Sequence, residues 1–397
     1  MRRTGAKLLL IAIVLLAACA AVVHAPGGGA PPPNPDKPHH ATPGFRNNYL
    51  AALGNSGGNF WRWQWQRAWA GLPKPPANGY QSPSPFPMVK PDVAWLKANR
   101  SETTATWIGH ATVLMQVAGV NILTDPHLTE RASPVSFAGP RRLVPPALTF
   151  DELPHIDMVV ISHNHYDHLD EGTVVRLAQQ PGGSPRFFVP LGNGAWFKRR
   201  GIDDVVEMDW WDKQLFKGLT VTLTPVQHWS TRSFTDRFAT LWGGWHVRSG
   251  ATAVATPAAY AAAPPANAVA QAANGMAPSA HAGARPFSFF FAGDTGYSKD
   301  FADIAQRLGA VDLAILPIGA YEPRWFMTPQ HVDPVEAVKI HRDLKARQSL
   351  AMHWGTFELT DEPLDEPPRA LARALQAAGV EAARFAVLKH GEMMTLQ

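Results

Sequence analysis

The chain has 397 residues, 46% of them hydrophobic and 17% charged, with 36 Pro, 32 Gly and a single Cys. This composition excludes a disordered chain, a coiled coil and a collagen, and one Cys excludes an intramolecular disulfide and any thiolate zinc finger. The net charge of +4 includes Arg2, Arg3 and Lys7; without them the basic residues nearly balance the 32 acidic ones, so no basic excess points to nucleic acid.

Those three cations precede the unbroken apolar run Leu8–Ala18, the pattern of an export signal. The run closes on Leu16-Ala17-Ala18-Cys19, which resembles a bacterial lipobox. The resemblance makes residues 1–18 a lipoprotein signal peptide and Cys19 the acylated first residue of the mature chain. It implies a lipid-anchored protein of the bacterial envelope, facing the periplasm. Ala20 gives no reason for retention at the inner membrane, so the outer one is expected. A spanning anchor is the alternative, but Leu8–Val23 is shorter than the roughly 20 residues a span needs. Cleavage after Val23-His24-Ala25 is opposed by Pro26.

Residues 19–43 are rich in Pro, Gly and Ala and read as a flexible tether, leaving His24, His39 and His40 without a role. Residues 44–102 form a Trp- and Pro-rich arm. Within it Trp61, Trp65 and Trp69 recur every fourth residue, as on one stripe of a helix; Trp61, Trp63 and Trp65 also alternate, as in a strand. The stripe either faces a membrane interface or packs on the main domain, and packing is the commoner use of such a stripe.

The main domain is expected over residues 103–397. Apolar runs place strands at Thr106–Ile108, Val113–Val117, Val120–Leu123, Met158–Ile161, Arg186–Val189, Thr220–Thr224, Thr240–Val247, Ser288–Ala292, Leu313–Pro317, Ser349–Met352 and Ala386–Leu388. Helical patterns fall at Glu171–Gln179, Gly194–Arg200, Lys299–Leu308, Pro334–Leu344 and Pro368–Ala378. Strand-rich hairpins followed by alternating strands and helices suit an α/β class with two packed sheets and helices outside. Gly250–Pro286 breaks the pattern: Ala dominates, Arg285 is its one charge, and several Pro oppose a helix. It reads as a disordered insertion between two strands.

The chemistry concentrates in Ser162-His163-Asn164-His165-Tyr166-Asp167-His168-Leu169-Asp170, directly after the apolar run Met158–Ile161. Three imidazoles and a carboxylate within six residues suit a borderline metal such as zinc. His163 and His165 can converge on one ion, and Asp167 and His168 can turn to a second. His228, Asp294 and His353 each follow a further apolar run and are candidate distant ligands.

The H-x-H-x-D-H string with a later His, Asp and His resembles the metallo-β-lactamase superfamily. Further segments narrow the resemblance: Trp107–Thr112, Leu123–Pro126, Gln227–Trp229, Ala292–Tyr297, Gly319–Met327 (GAYEPRWFM), Gln330–Pro334 and His353–Phe357. Together they are similar to the N-acylphosphatidylethanolamine-hydrolysing phospholipase D family, from about Trp95 to the C-terminus; Gly250–Pro286 departs from the pattern. The resemblance implies a metallo-β-lactamase-like αββα sandwich with two Zn2+ ions per chain. His163, His165 and His228 would bind one ion, Asp167, His168 and His353 the other, and Asp294 would bridge. Hydroxide held between the ions would attack phosphorus, releasing N-acylethanolamine and leaving phosphatidic acid, with Asp167, Asp294 and His331 as catalytic residues.

Around that centre, Asp125 would brace the His-rich loop, with His110 beside it. His331 would touch the phosphate or protonate the leaving alkoxide, unless it caps a helix or packs. Tyr166, Gln330 and Arg324 would line the substrate pocket; His390 would be structural. The expected partner is a phospholipid at a membrane surface, without nucleic acid; the sequence sets no oligomeric state. A lactonase or soluble phosphodiesterase on the same metals is the competing enzyme, and a non-enzymatic lipid-binding lipoprotein the competing class.

Overall fold

The computed structural model describes residues 32, 34–50, 57–77, 79–81, 84–233, 235–250 and 285–396. The signal peptide, Cys19 and nearly all of the Ala-rich insertion lie outside them. Strands β1 (Thr103–Gly109), β2 (Thr112–Val117) and β3 (Val120–Thr124) form an antiparallel meander. Next come β4 (Met158–Val160), β5 (Arg186–Pro190) and β6 (Val205–Met208), all parallel to β3. The second sheet repeats this scheme. β7 (Lys213–Phe216), β8 (Leu219–Thr224), β9 (Gly244–Ser249) and β10 (Ser288–Phe291) pair antiparallel. β11 (Leu313–Pro317), β12 (Gln348–Met352) and β13 (Phe385–Ala386) continue parallel to β10. The last strand, β14 (Met393–Leu396), returns to the first sheet and pairs with β1. Each sheet thus has seven strands, joined by three antiparallel and three parallel pairings.

Both faces of the inner strands of the first sheet are covered, which is why β2, β3 and β4 read as largely apolar runs. In β2, Val113, Met115 and Val117 enter the core shared with the second sheet, where Val221, Trp245 and Phe289 meet them. Leu114 points the other way, into a separate cluster with Val174, Leu177 and Phe197. Those last residues come from α3 (Glu171–Ala178) and α4 (Gly194–Lys198), counted after α1 (Gly57–Ala70) and α2 (Val93–Ala98). Outside the second sheet lie α5 (Asp300–Leu308), α7 (Pro334–Asp343) and α8 (Glu366–Ala378), with the short α6 (Arg324–Met327) before α7. Phe301, Ala337 and Leu371 carry these helices into the core. The architecture is an αββα sandwich.

The N-terminal region departs from expectation in two places. Residues 37–47, expected as tether and the start of a loose arm, fold onto the core. Lys37, His39 and His40 converge on the Asp209 carboxylate at 2.7, 2.6 and 2.7 Å. Burial opposes the charge on Asp209, but the hydrogen bonds from His39 and Lys37 outweigh it and hold the carboxyl below its usual range. With an ammonium on the same carboxylate, the trio is a closed ion cluster rather than a cation site. Beyond it Phe45 enters the core, and the Asn47 side chain bonds both the N–H and the C=O of His228 (3.0 and 2.9 Å).

The second departure is the Trp stripe. It is helical, in α1, but it does not pack on the domain. Trp63 does instead, stacking on Phe326 at 5.1 Å and donating its indole N–H to Asp361. Trp61, Trp65 and Trp69 stay exposed.

Candidate metal centre

Parallel and antiparallel neighbours place the ends of β1, β3 and β4 on one edge of the first sheet, and the ends of β8, β10 and β12 on one edge of the second. The candidate residues sit just past those ends. His110 follows β1, Asp125 follows β3, and the His163–His168 loop follows β4. His228, Asp294 and His353 follow β8, β10 and β12. Loops at strand ends over a rigid scaffold are where reactive groups are displayed.

The structure brings all seven expected ligands together, in two groups. In the first, His163 Nε2 lies 2.8 Å from His165 Nδ1, which is 3.3 Å from His228 Nε2. In the second, His168 Nε2 lies 3.1 Å from His353 Nε2, and Asp167 Oδ2 lies 3.4 and 3.5 Å from the same two atoms. Asp294 stands between: its carboxylate is 3.0 Å from His353, 3.2 Å from His168 and 4.0 Å from His228.

Which ring nitrogen carries the proton follows from the other partner of each ring. His168 Nδ1 donates to Asp125 Oδ2 at 2.7 Å. His228 Nδ1 donates to the Gln330 carbonyl at 2.9 Å. His163 Nδ1 donates to Ser162 Oγ at 2.9 Å, because that hydroxyl gives its own proton to Asp125. All three therefore turn Nε2 inward, and in His163 and His228, whose pKa values are lowered, that atom presents a lone pair. Imidazole nitrogens and carboxylate oxygens converge at these separations, with Asp294 Oδ1 buried 3.0 Å from His353 Nε2, in groups that could each hold a metal ion. Nitrogen atoms about 3.3 Å apart are what a tetrahedral ion with ligands at about 2.0–2.1 Å requires. The donor set of imidazoles and carboxylates fits a metal.

The electrostatics divide the site. Burial and neighbouring imidazoles keep the His163 pKa well below its ordinary value. Burial lowers His165 to about 4 and His228 to about 3, so this group is neutral and ready to ligate. In the second group burial acts the same way but is outweighed. Asp294 and Asp167 push His168 well up, and hold His353 at about 9.

Several supports hold these ligands in place. Asp125 also accepts from the Ser162 N–H (2.6 Å), so it braces the loop as expected. His110 lies beside the second group, its Nε2 3.2 Å from Asp167. His110, Asp125 and His353 hold φ values of 54°, 31° and 63°, left-handed backbone that costs about 1–3 kcal/mol each. The His353 N–H to His110 C=O bond (3.0 Å) helps hold two of them. Gly293 has φ +60°, and a Cβ there would lie 2.3 Å from that of Ser162, so only Gly lets β10 deliver Asp294.

The substrate residues divide. His331 belongs to the centre: its Nδ1 lies 3.7 Å from Asp294 Oδ2, and the capping of α7 is done by Asp333 and Glu336 instead. Burial lowers the His331 pKa to about 3. Tyr166 is half-buried, its hydroxyl donating to the Arg232 carbonyl, in the wall of a cavity of about 540 Å3. That cavity shares Tyr166, Leu169 and Asp170 with the loop but none of its metal-facing side chains. Arg324 does not face the centre. Its guanidinium is bound by the carbonyls of Tyr321 and His331 and by Glu336, which braces the 321–336 segment. The Gln330 side chain is buried and turned toward Met327 Sδ; its carbonyl, not its amide, serves the centre. His390 is buried against Thr356 and Trp107, as a structural residue.

Arg232 escaped the sequence reading. It donates to the carbonyls of Asn164 (2.9 Å) and Leu169 (2.7 Å), clamping both ends of the His-rich loop, with its guanidinium 4.1 Å over the Tyr166 ring. Asn47 was missed as well. Neither has a signature, because each acts on main-chain atoms far away in sequence.

A family profile described as the Beta-lactamase superfamily domain matches residues 120–272 and 249–354. The chain is 38% identical over 284 residues to N-acyl-phosphatidylethanolamine-hydrolyzing phospholipase D 1 of Caenorhabditis elegans, covering 69% of this chain and 70% of that protein. It is 32% identical to the mitochondrial N-acyl-phosphatidylethanolamine-hydrolyzing phospholipase D of Saccharomyces cerevisiae, covering 69% and 52%. A metal-dependent hydrolase of Methanopyrus kandleri is 26% identical, covering 72% and 97%. Among solved structures, a possible metal-dependent hydrolase from Veillonella parvula superposes with a TM-score of 0.52 at 18% identity, over 75% of this chain and all of that one, a likeness of fold. The chain is a metal-dependent hydrolase of the metallo-β-lactamase superfamily and belongs to its N-acylphosphatidylethanolamine-hydrolysing phospholipase D family.

Proposed function

We propose that this hydrolase is a di-zinc phosphodiesterase that splits N-acylphosphatidylethanolamine into N-acylethanolamine and phosphatidic acid. The observation that carries the reading is the convergence of imidazole nitrogens in two groups with Asp294 between them. His163, His165 and His228 would hold one ion, Asp167, His168 and His353 the other, with Asp294 reaching both. Zinc suits this N/O donor set, and no thiolate is needed from a chain whose one Cys is Cys19. When bound, the pair supplies hydroxide at neutral pH and offsets charge on the phosphoryl oxygens.

The chain's own residues do the rest. His331 lies over Asp294, where its ring can donate a hydrogen bond to a phosphoryl oxygen. Ser162, Asp125 and the Gln330 carbonyl hold three ligand rings with Nε2 inward. Acylation at Cys19 would keep the enzyme on the envelope membrane that contains its substrate.

Product analysis by mass spectrometry tests the reading, with full-length zinc-loaded protein and N-acylphosphatidylethanolamine in detergent micelles. The expected result is N-acylethanolamine plus phosphatidic acid, falling at least about a thousandfold in Asp294→Asn. No release with two zinc ions bound would remove the lipid substrate; unchanged turnover in Asp294→Asn would remove the metal assignment.

A further inference from the structure

Helix α1 turns its aromatic stripe away from the protein. At about 100° per residue, Trp61, Trp65 and Trp69 share one side and Trp63 faces the other. A surface helix ordinarily buries its apolar stripe. Here Trp63 is buried, while the three stripe indoles are 71%, 71% and 85% exposed. Phe60 and Trp325, 42% and 46% exposed, extend the patch.

The remaining residues of the helix are informative. Its sequence GGNFWRWQWQRAWA contains no carboxylate and two cations, Arg62 and Arg67. The Arg62 guanidinium lies 4.9 Å over the Trp325 ring, at the patch itself. Indoles prefer the membrane–water interface, and cations on the same element meet lipid phosphates. Among the described residues no helix is long and apolar enough to cross a membrane, so such a contact lies in the plane of the surface.

The helix also stands on segments that lead to the metal centre. Trp63 stacks on Phe326 in α6, which runs directly into Gln330 and His331. Arg67 donates to the Leu359 carbonyl and Trp63 to Asp361, in the loop that follows His353. Whatever covers the indoles is thereby placed close to the site.

We propose that α1 and Trp325 form a bilayer-docking surface, in which Trp61, Trp65 and Trp69 enter the headgroup layer of a phospholipid membrane and hold the adjoining metal centre at the lipid surface. The choice of a lipid partner over a protein rests on the phospholipid reading of the site.

Depth labelling tests it without turnover. In full-length, acylated protein, Trp65→Cys is labelled with an environment-sensitive fluorophore and reconstituted on phosphatidylethanolamine/phosphatidylglycerol vesicles. Glu381→Cys, at an exposed position outside α1, is the control. The label at 65 is expected to blue-shift and be quenched by lipids carrying a headgroup-level quencher, while the label at 381 stays aqueous. Equal, aqueous behaviour at both positions overturns the proposal. So does shielding of position 65 without vesicles together with a Trp61→Ala/Trp65→Ala/Trp69→Ala variant that changes oligomeric state; that result assigns the face to a second copy of the chain. In the same triple variant, turnover on vesicles is expected to fall roughly tenfold or more, with turnover on a dispersed short-chain substrate unchanged. Quenching at 65 with no phospholipid hydrolysis would retain the surface and remove the substrate assignment, so the two readings fail separately.

Discussion

At the scale of single residues, the centre is set by where each imidazole proton sits. Asp125 fixes the proton of His168 on Nδ1. Asp125→Asn keeps the shape but removes the charge that favours that arrangement, and metal affinity should fall about 10–100-fold. Titration against a competing zinc chelator would measure it, and an unchanged constant would separate Asp125 from the centre. The protons already present give a second prediction. The neighbouring carboxylates raise the pKa values of His168 and His353 against burial, whereas burial lowers those of His163, His165 and His228. The hydrogen bond between His168 Nε2 and His353 Nε2 needs a proton on one of the two, so zinc should displace protons from this pair rather than from the lowered group. Calorimetry in buffers of differing ionisation enthalpy would read that release; no buffer dependence would contradict it. Binding should therefore weaken steadily as pH falls. The buried, lowered histidines His246 (about 4) and His390 (about 3) have their own sign. They stay neutral in the fold while the unfolded chain protonates, so their stabilisation is complete above about pH 6.5 and is lost toward pH 4 and below.

At the scale of elements, the N-terminal segment is a strap rather than a leash. Asp209 gathers Lys37, His39 and His40, and Asn47 then grips the main chain of His228. Asp209→Ala should release the strap, cost about 1–3 kcal/mol, and weaken metal binding through His228. Limited proteolysis should then cut near residue 40 before the core opens; resistance equal to the parent protein would refute the link. Histidines in a Pro-rich stretch gave no hint of this, because their partner Asp209 is far along the chain. The same limit explains which elements were legible. Buried strands such as β2, β11 and β12 announced themselves as apolar runs. β6, β7 and β14 did not: they are edge strands, and β7 (KQLF) is almost wholly exposed, so no run marks them. The apolar run Thr240–Val247 begins ahead of β9, because Thr240–Gly243 is buried without being strand. The seven residues expected as ligands from local pattern and family resemblance do converge. The residues that missed their expected places, Arg324 and Gln330, are those whose orientation depends on long-range packing.

At the scale of the whole molecule, each ligand group draws two residues from the loop after β4 in the first sheet and one from the second sheet, with Asp294 also from the second. A bound ion therefore staples the sheets together, and a chelator should lower the melting temperature as well as stop turnover. The chain leaves the described fold at Gly250 and returns at Arg285, between β9 and β10. Ser249 pairs with Leu219 and Arg248 with Ser288, at the starts of β8 and β10, the edge opposite the one that carries His228 and Asp294. Replacing residues 251–284 with a short Gly/Ser turn should leave kcat and zinc content within about twofold of the parent. A large loss of either would show that this stretch reaches the other edge.

The ligands run from His163 to His353, and β14, near the end of the chain, closes the first sheet. Neither sheet alone completes a ligand group, so the full centre forms only once β12 has delivered His353. Complete coordination thus belongs to the finished fold, which would take its ion from wherever the finished protein resides. Intrinsic affinity rises along the first-row divalent metals to copper and falls at zinc, so selection in cells depends on geometry, ligand type and supply. For this hydrolase, then, the delivery address of the chain helps decide which metal it carries.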